Sequence, residues 1–386
     1  MSTNSQVRNR DGFALPVALL AIMVIGALVT GGFYASSQES RISLSTDLTN
    51  QAFYVAEYGL EEALGLWKND DLINIAGTHT FAPVDVYAGG ALLGQYTISV
   101  RRIGMFLFLA TSEGRVTAAG RDAVRRVGSM VRVMKAETPY PSALTIFGGL
   151  ISTGTSQIKG EDSGGPGCTA GATAPGVVAQ HDSLVSVEGK ATEISGDPPI
   201  TSQPGLTPTA MSDFGAVNLQ DLIDVATHTY PDGADLTGIG PVTTTDAYGN
   251  ESCDDTVKDN WGDPTGTGPC DSYMPVIHAE GDLNVQVGTG QGILIVEGDL
   301  YATGNYDFYG VVIVKGSLFI EGTGNHIEGS VLIMGDGELT SESTSAGNSL
   351  VQYSHCRVDR AFNASLRPRP LASRSWMDFS ALTAGI

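Results

Sequence analysis

FALPVALLAIMVIGALVTGGFYA, residues 13–35, runs for 23 residues without a charge. As a helix rising about 1.5 Å per residue it spans roughly 34 Å, enough to cross the hydrocarbon core of a bilayer. Arg8 and Arg10 stand before it, and basic flanks stay on the cytoplasmic side, so the bulk of the chain is expected outside the cytoplasm. Pro16 and Gly26 are tolerated in a membrane helix. The helical pattern continues past the apolar run. Leu44, Leu48, Val55, Ala63 and Leu66 recur at spacings built from three and four, with Gln38, Glu39, Arg41, Asp47, Glu57 and Glu61 among them. One helix over 13–68 is therefore predicted, apolar all round over 13–35 and amphipathic afterwards. A cleaved secretory signal shares the basic start, but its apolar core is about 7–15 residues and no helix has to follow it.

Two motifs sharpen this reading. RDGFALPVALLAIMVIGAL, residues 10–28, resembles a class III-type prepilin leader, which a peptidase on the cytoplasmic face cuts after the glycine to leave an aromatic first residue. Here those positions are Gly12 and Phe13, making 1–12 the leader. Further on, QAFYVAEYGLEEAL, residues 51–64, is similar to the signature closing the N-terminal helix of PilX-type minor pilins, with Ala56, Glu57, Gly59 and Leu60 at the matching places. The resemblance covers about residues 8–66. It implies N-methylation after cleavage, and as partners the prepilin peptidase, other pilin subunits, pilus assembly machinery and the cytoplasmic membrane. It also places the chain in a bacterial inner membrane, single-pass, with its bulk periplasmic or extracellular. One position departs from the pattern: major pilins carry Glu at the fifth mature residue, and Val17 stands there. In that family the Glu pairs with a neighbouring subunit's amine, and an unpaired ammonium in an apolar filament core is costly. An accessory, tip or membrane-resident role is thus expected rather than a filament shaft.

After Trp67, a loop with Asn69, Asp70 and Asp71 is expected to end the helix. QYTISVRRI, MFLFLATSEG and AVRRVGSMVRV then alternate like strands between Gly-containing turns, which predicts a small antiparallel meander within 69–137, packed on the amphipathic half of the helix. Arg121, Arg125, Arg126 and Arg132 read as charges kept in water on outward strand positions. The functional alternative is a docking patch for acidic partners, lipid headgroups or the acidic body of the same chain.

Residues 281–339 repeat. GILIV, GVVIV and GSVLI start at Gly292, Gly310 and Gly329, spacings of 18 and 19, and GDLYA, GSLFI and GELTS follow them. Two strands per coil with glycines at the corners is the signature of a β-solenoid, in which Ile293, Ile295, Val312, Val314, Leu332 and Met334 are expected to stack in register. SALTIFGGLIST and GVVAQHDSLVSVEG read as earlier, less regular rungs. The solenoid is thus assigned to 138–356, with insertions at about 161–176 and 197–275, the second containing the helical candidate DFGAVNLQDLIDVA. The pattern resembles the right-handed parallel coils of bactofilin-like and autotransporter-like proteins. The overall fold class is an α+β pilin-like module, a long helix plus a small antiparallel sheet, followed by a mostly β domain. The tail 357–386 is basic at first, and its Trp376 and Phe379 are expected to fold back as a cap on the last coil or the small sheet.

Charge and cysteines bound the function. The formal net charge is −21, and residues 136–356 hold only Lys159, Lys190, Lys258 and Lys315 against 29 acidic side chains. Nucleic acid would be repelled from such a surface. The four cysteines lie in the segment expected outside the cytoplasm, where disulfides persist. Cys253 and Cys270 bracket a Gly/Pro/Asp-rich loop, whose closure stabilises by about 3 kcal/mol, and Cys168 would then pair with Cys356. No CxxC or paired-His spacing predicts a metal site. The acidic loop 262–271 leaves calcium as the one cofactor to weigh, though no EF-hand spacing is present. Neither HExxH nor GxSxG occurs, and the 288–292 glycine run precedes a strand rather than a helix. Asp254 with Asp255, or Asp282 with Asp299, are pairs of the glycosidase kind, but so acidic a region produces such pairs by chance. His278, His326 and His355 stand isolated, so no catalytic residue is assigned. The alternatives to a pilin-like display protein are an anchored polysaccharide-binding or -degrading β-helix and a surface protein that self-assembles independently of pili.

Overall fold

The computed structural model describes residues 14–118, 120–165, 168–188, 193–321, 324–340, 349–372 and 375–379. The leader, with Gly12 and Phe13, lies outside the described residues. A single helix runs over Ala14–Leu66. Its first part stands clear of the rest of the chain, with Leu15, Val17, Leu20, Ile22, Met23, Leu28 and Phe33 all exposed. From Leu48 onward one stripe is buried: Leu48, Ala52, Val55, Ala56, Leu60, Ala63 and Trp67. Steps of three, four and one along that stripe are one face of a 3.6-residue helix. Leu44 and Leu66, expected on that face, are exposed. Asn69 does not sit in a loop. A second short helix, Asn69–Ile73, starts where the Lys68 N–H donates to Asp71 Oδ2 at 2.8 Å.

The buried stripe packs on an antiparallel sheet whose central strands are Ala91–Arg102, Leu107–Ala118 and Arg121–Arg132. Phe108, Ala110 and Val116 alternate inward along the middle strand, as a sheet with one covered face requires. Its outer edges are covered. Thr78–Thr80 and Val84–Ala88 pair with the first strand, and Arg369–Pro370 and Trp376–Asp378 of the tail pair with the third. The Trp376 ring meets Phe53 of the long helix edge-on, centroids 6.0 Å apart. The tail thus closes an edge that would otherwise offer unpaired backbone groups. Within the arginine cluster, Arg125 reaches Asp378 of the tail at 3.7 Å and Arg126 pairs with Glu113 on the neighbouring strand.

The remaining strands pair in parallel. One column passes in register through His228, Ile277, Leu294, Val312, Val331, Leu144, Val177 and Ile200. A second passes through Ala234, Leu283, Leu300, Leu318, Gly337, Leu150 and Val185. A third links Gly290 and Phe308 to Ile327, Val351, Ile158 and Ile194. The parallel pairing therefore runs in three columns, where the repeat predicts two strands per unit. The segment NYDFY, which follows the second strand of its unit, forms the third side. The rung order also departs from chain order: the rung at Leu144 is inserted beside the last repeat at Val331. The chain winds outward from there to Ile200, crosses to the far end, and winds back from His228.

The crossing segment explains a feature of the repeats. Leu206, Met211, Phe214, Val217, Leu219 and Leu222 lie over the outer side of the first column, against Val276, Ile293, Ile295, Val311, Ile313, Leu332 and Met334, and Val358 and Phe362 of the helix His355–Ser365 complete the cover. Leu294, Val296, Val312, Val314, Val331 and Ile333 point to the interior. Strands buried on both sides read as unbroken apolar runs, hence ILIV, VVIV and VLIM. The expected stack of Ile293 with Val312 is off by one residue: Ile293 pairs with Val311 and belongs to the outer side, whereas Val312 pairs with Leu294 inside. On the second column only the interior is covered, and the pattern alternates, as in Leu300, Tyr301 and Ala302, buried, exposed, buried.

The span read as a long insertion, 197–275, contributes the rung strands Ile200–Ser202, His228–Tyr230 and Ala234–Leu236, the crossing segment and an end plug. Its helical candidate narrows to Leu219–Ile223, capped by Asn218. Trp261 is fully buried in the plug beside Tyr230, Tyr306 and Phe308, and its Nε1 donates to Tyr230 Oη at 3.1 Å. At this end His228 is buried, with Nε2 2.9 Å from Tyr273 Oη. Burial, with Lys258 nearby, pushes its imidazole below the ordinary 6.5. A histidine kept neutral by folding stabilises fully above the unfolded value and loses that contribution as pH falls through the folded one. The midpoint of thermal unfolding should therefore fall as the pH is taken from 7 to 5, and His228→Gln should flatten that slope. An unchanged slope in the variant would remove His228 as its source.

Candidate functional site

The apolar part of the long helix is the first candidate. Its best 18-residue window has a mean hydropathy of 2.3 and is not buried against the rest of the chain. By length and composition this helix can cross a membrane. Val17, at the position where the resemblance expects Glu, is exposed among these residues.

The helix signature is explained by packing. Ala56 and Leu60 are buried, and a Cβ added at Gly59 would lie 2.4 Å from Cγ of Tyr96. Opposite, a Cβ on Gly114 of the middle strand would lie 2.2 Å from the Ala52 carbonyl oxygen and 2.5 Å from the Ala56 nitrogen. Small residues at 56, 59 and 114 therefore let helix and sheet backbones touch. One turn on, Glu62 accepts a hydrogen bond from Tyr96 Oη at 3.0 Å.

The four cysteines form two disulfides. Cys253–Cys270 closes the end plug, with Cα atoms 4.8 Å apart, and Cys168–Cys356 joins two segments 188 residues apart in sequence, Cα atoms 6.2 Å apart. Around the second disulfide the structure assembles residues that sequence spacing did not connect. His355 Nε2 lies 3.4 Å from Cys356 Sγ and 3.8 Å from Cys168 Sγ. Its Nδ1 is bound to Asp162. Burial pushes the Asp162 carboxyl up, but the N–H groups of Gly171 and Gly164 and the His355 ring outweigh it and hold the carboxyl below its ordinary value. The adjacency of His355 and Cys356 was the only sequence signal, because Asp162 and Cys168 lie 193 and 188 residues away along the chain, although the strand before Asp162 pairs with the strand before His355.

The carboxylate pairs considered for catalysis have structural work. Asp232 Oδ1 accepts from the Asp282 N–H, Asp282 Oδ1 from Asp299, Asp299 Oδ1 from Ser317, and Asp336 Oδ1 from Gly149, at 2.7–2.9 Å. Each side chain ties its own unit to the backbone of the neighbouring one. Asp254 Oδ1 is turned onto Thr256 of its own loop, and Asp263, in the loop weighed for calcium, onto Thr265. His278 and His326 lie 3.6 and 3.9 Å from Glu297 and Glu328.

No family model matches the chain, and no curated protein is similar to it in sequence. Among solved structures the chain is similar to the competence-associated pilin ComZ from Thermus thermophilus, at 13% identity over 86% of this chain and 97% of that one. The TM-score is 0.26, a superposition too loose to carry an argument.

Proposed function

We propose that this chain is an accessory pilin-like protein of the PilX type, held in the bacterial inner membrane by residues 13–35. It displays a β-solenoid outside the cytoplasm in a structural or adhesive, non-catalytic role. One observation carries the reading: the 53-residue helix Ala14–Leu66 is exposed and apolar at its start and sealed onto an antiparallel sheet at its end. A buried core helix would not leave its most apolar half uncovered, and a cleaved signal would not continue into the packing stripe of a folded head. The three-sided parallel coils, one long side covered and the corners tied by aspartates, supply a rigid passenger. Its acidic surface favours neither nucleic acid nor uronate polymers. The partners under this reading are prepilin peptidase, other pilin subunits and the assembly machinery, with Val17 favouring a tip or membrane-resident position over the shaft.

Mass spectrometry of the mature N-terminus from the native host tests it. A chain beginning at Phe13 with an added methyl group is the expected result, and a start beyond residue 35 rejects the pilin reading.

A further inference from the structure

We propose that Cys168, Cys356 and His355 form a redox-gated site for a zinc ion, closed while the two cysteines are joined and opened when they are reduced. The three ligand atoms lie within 4.8 Å of one another. A tetrahedral zinc with bonds of about 2.3 Å to sulfur and 2.0–2.1 Å to nitrogen needs sulfur–nitrogen edges of roughly 3.5 Å. The distances from His355 Nε2 to the two sulfurs, 3.4 and 3.8 Å, match that edge.

The imidazole is already aimed. Asp162 holds Nδ1, and the Asp162 side chain is itself 1% exposed and fixed by the N–H groups of Gly164, Gly171 and His355. A buried carboxylate behind a ligating histidine sets its tautomer and orientation and raises its basicity as a ligand. The bond between Asp162 and His355 spans 193 residues of sequence, so the stack itself builds the arrangement.

Access also fits. Cys168 is exposed, whereas Cys356 is buried in the first turn of His355–Ser365. A thiolate of a protein dithiol attacks Cys168 Sγ, and the electron pair of the broken bond leaves on Cys356 Sγ. The second thiol of the reductant then attacks its own sulfur in the mixed disulfide, releasing Cys168 as thiolate and the reductant as a disulfide. Zinc takes the place of the two thiol protons, with His355 Nε2 as third ligand and solvent as the fourth.

The test uses the full chain in detergent, oxidised or reduced with a phosphine, titrated with zinc and read by native mass spectrometry, with cobalt(II) absorbance reporting thiolate ligation. One zinc per reduced chain and none on the oxidised chain is expected. Asp162→Asn should weaken binding about 10–100-fold, His355→Ala at least as much, and Cys168→Ser should remove it. The double variant Cys253→Ser/Cys270→Ser should keep it. The proposal fails if the reduced chain takes up no zinc, if reduction abolishes its β circular dichroism, if the double variant loses the ion, or if His355→Ala binds as tightly as the parent.

Discussion

Gly310→Ala is expected to destabilise the parallel strand stack by about 2–6 kcal/mol, the combined scale of a strained backbone and an overpacked contact. Gly310 has φ of 144°, and a Cβ there would sit 2.0 Å from the carbonyl oxygen of Gly292, one rung below. That oxygen belongs to a backbone held by its own parallel ladder, so it cannot rotate aside as a flexible side chain would. Neighbouring strands are about 4.7–4.9 Å apart, and the whole rung must separate to admit the methyl. Gly329 above repeats the problem, its added Cβ meeting the Gly310 oxygen at 1.8 Å. Gly205 provides the control, since a Cβ there meets nothing within 4 Å and its φ is ordinary. Denaturant unfolding followed by circular dichroism should show Gly310→Ala with a lowered midpoint and Gly205→Ala near the parent. Equal midpoints would mean that the glycine column is not a close-contact corner.

The same glycines show what was legible in the sequence. Their spacing of 18 and 19 is the register of the parallel ladder, in which Gly292, Gly310 and Gly329 stand opposite one another and the backbones approach too closely for a Cβ. What the spacing could not give was the number of strand columns. NYDFY has few aliphatics, since Tyr306 and Phe308 fill the interior on that side by size rather than by a branched pair. The unbroken runs ILIV and VVIV hid their register, because strands buried on both sides lose the alternation that separates inside from outside. Insertion of the Leu144 rung beside Val331 was also invisible, as a contact across 187 residues leaves no periodic trace. For the same reason the spacing of residues does not connect Asp162 to His355, 193 residues apart. The helix was clearer: its apolar half and its closing signature are local patterns, and local patterns survive in a single sequence.

Gly114→Val addresses the junction on which the pilin-like reading depends. Added atoms at this position meet the Ala52 carbonyl oxygen at 2.2 Å, the Ala56 nitrogen at 2.5 Å and the Ala56 Cα at 3.0 Å, all of them helix backbone. A helix responds to such a wedge as a rigid rod, so relief requires lifting the stripe Leu48, Val55 and Leu60 off Phe108, Ala110 and Val116. The expected cost is at the upper end of the overpacking range, about 3 kcal/mol or more. Against a typical domain stability of about 5–15 kcal/mol, the head is left marginal while the coil stack, held by its own core, persists. Hydrogen exchange should therefore show lost protection confined to helix residues 48–66 and strands Ala91–Arg102, Leu107–Ala118 and Arg121–Arg132. Gly65→Ala is the opposing control on the same helix: its Cβ meets nothing within 4 Å, and replacing a helical glycine by alanine stabilises by up to about 1 kcal/mol. If Gly114→Val lost protection in the coil stack as well, head and stack would be one cooperative unit, and a passenger carried on an independent pilin-like head would no longer describe the molecule.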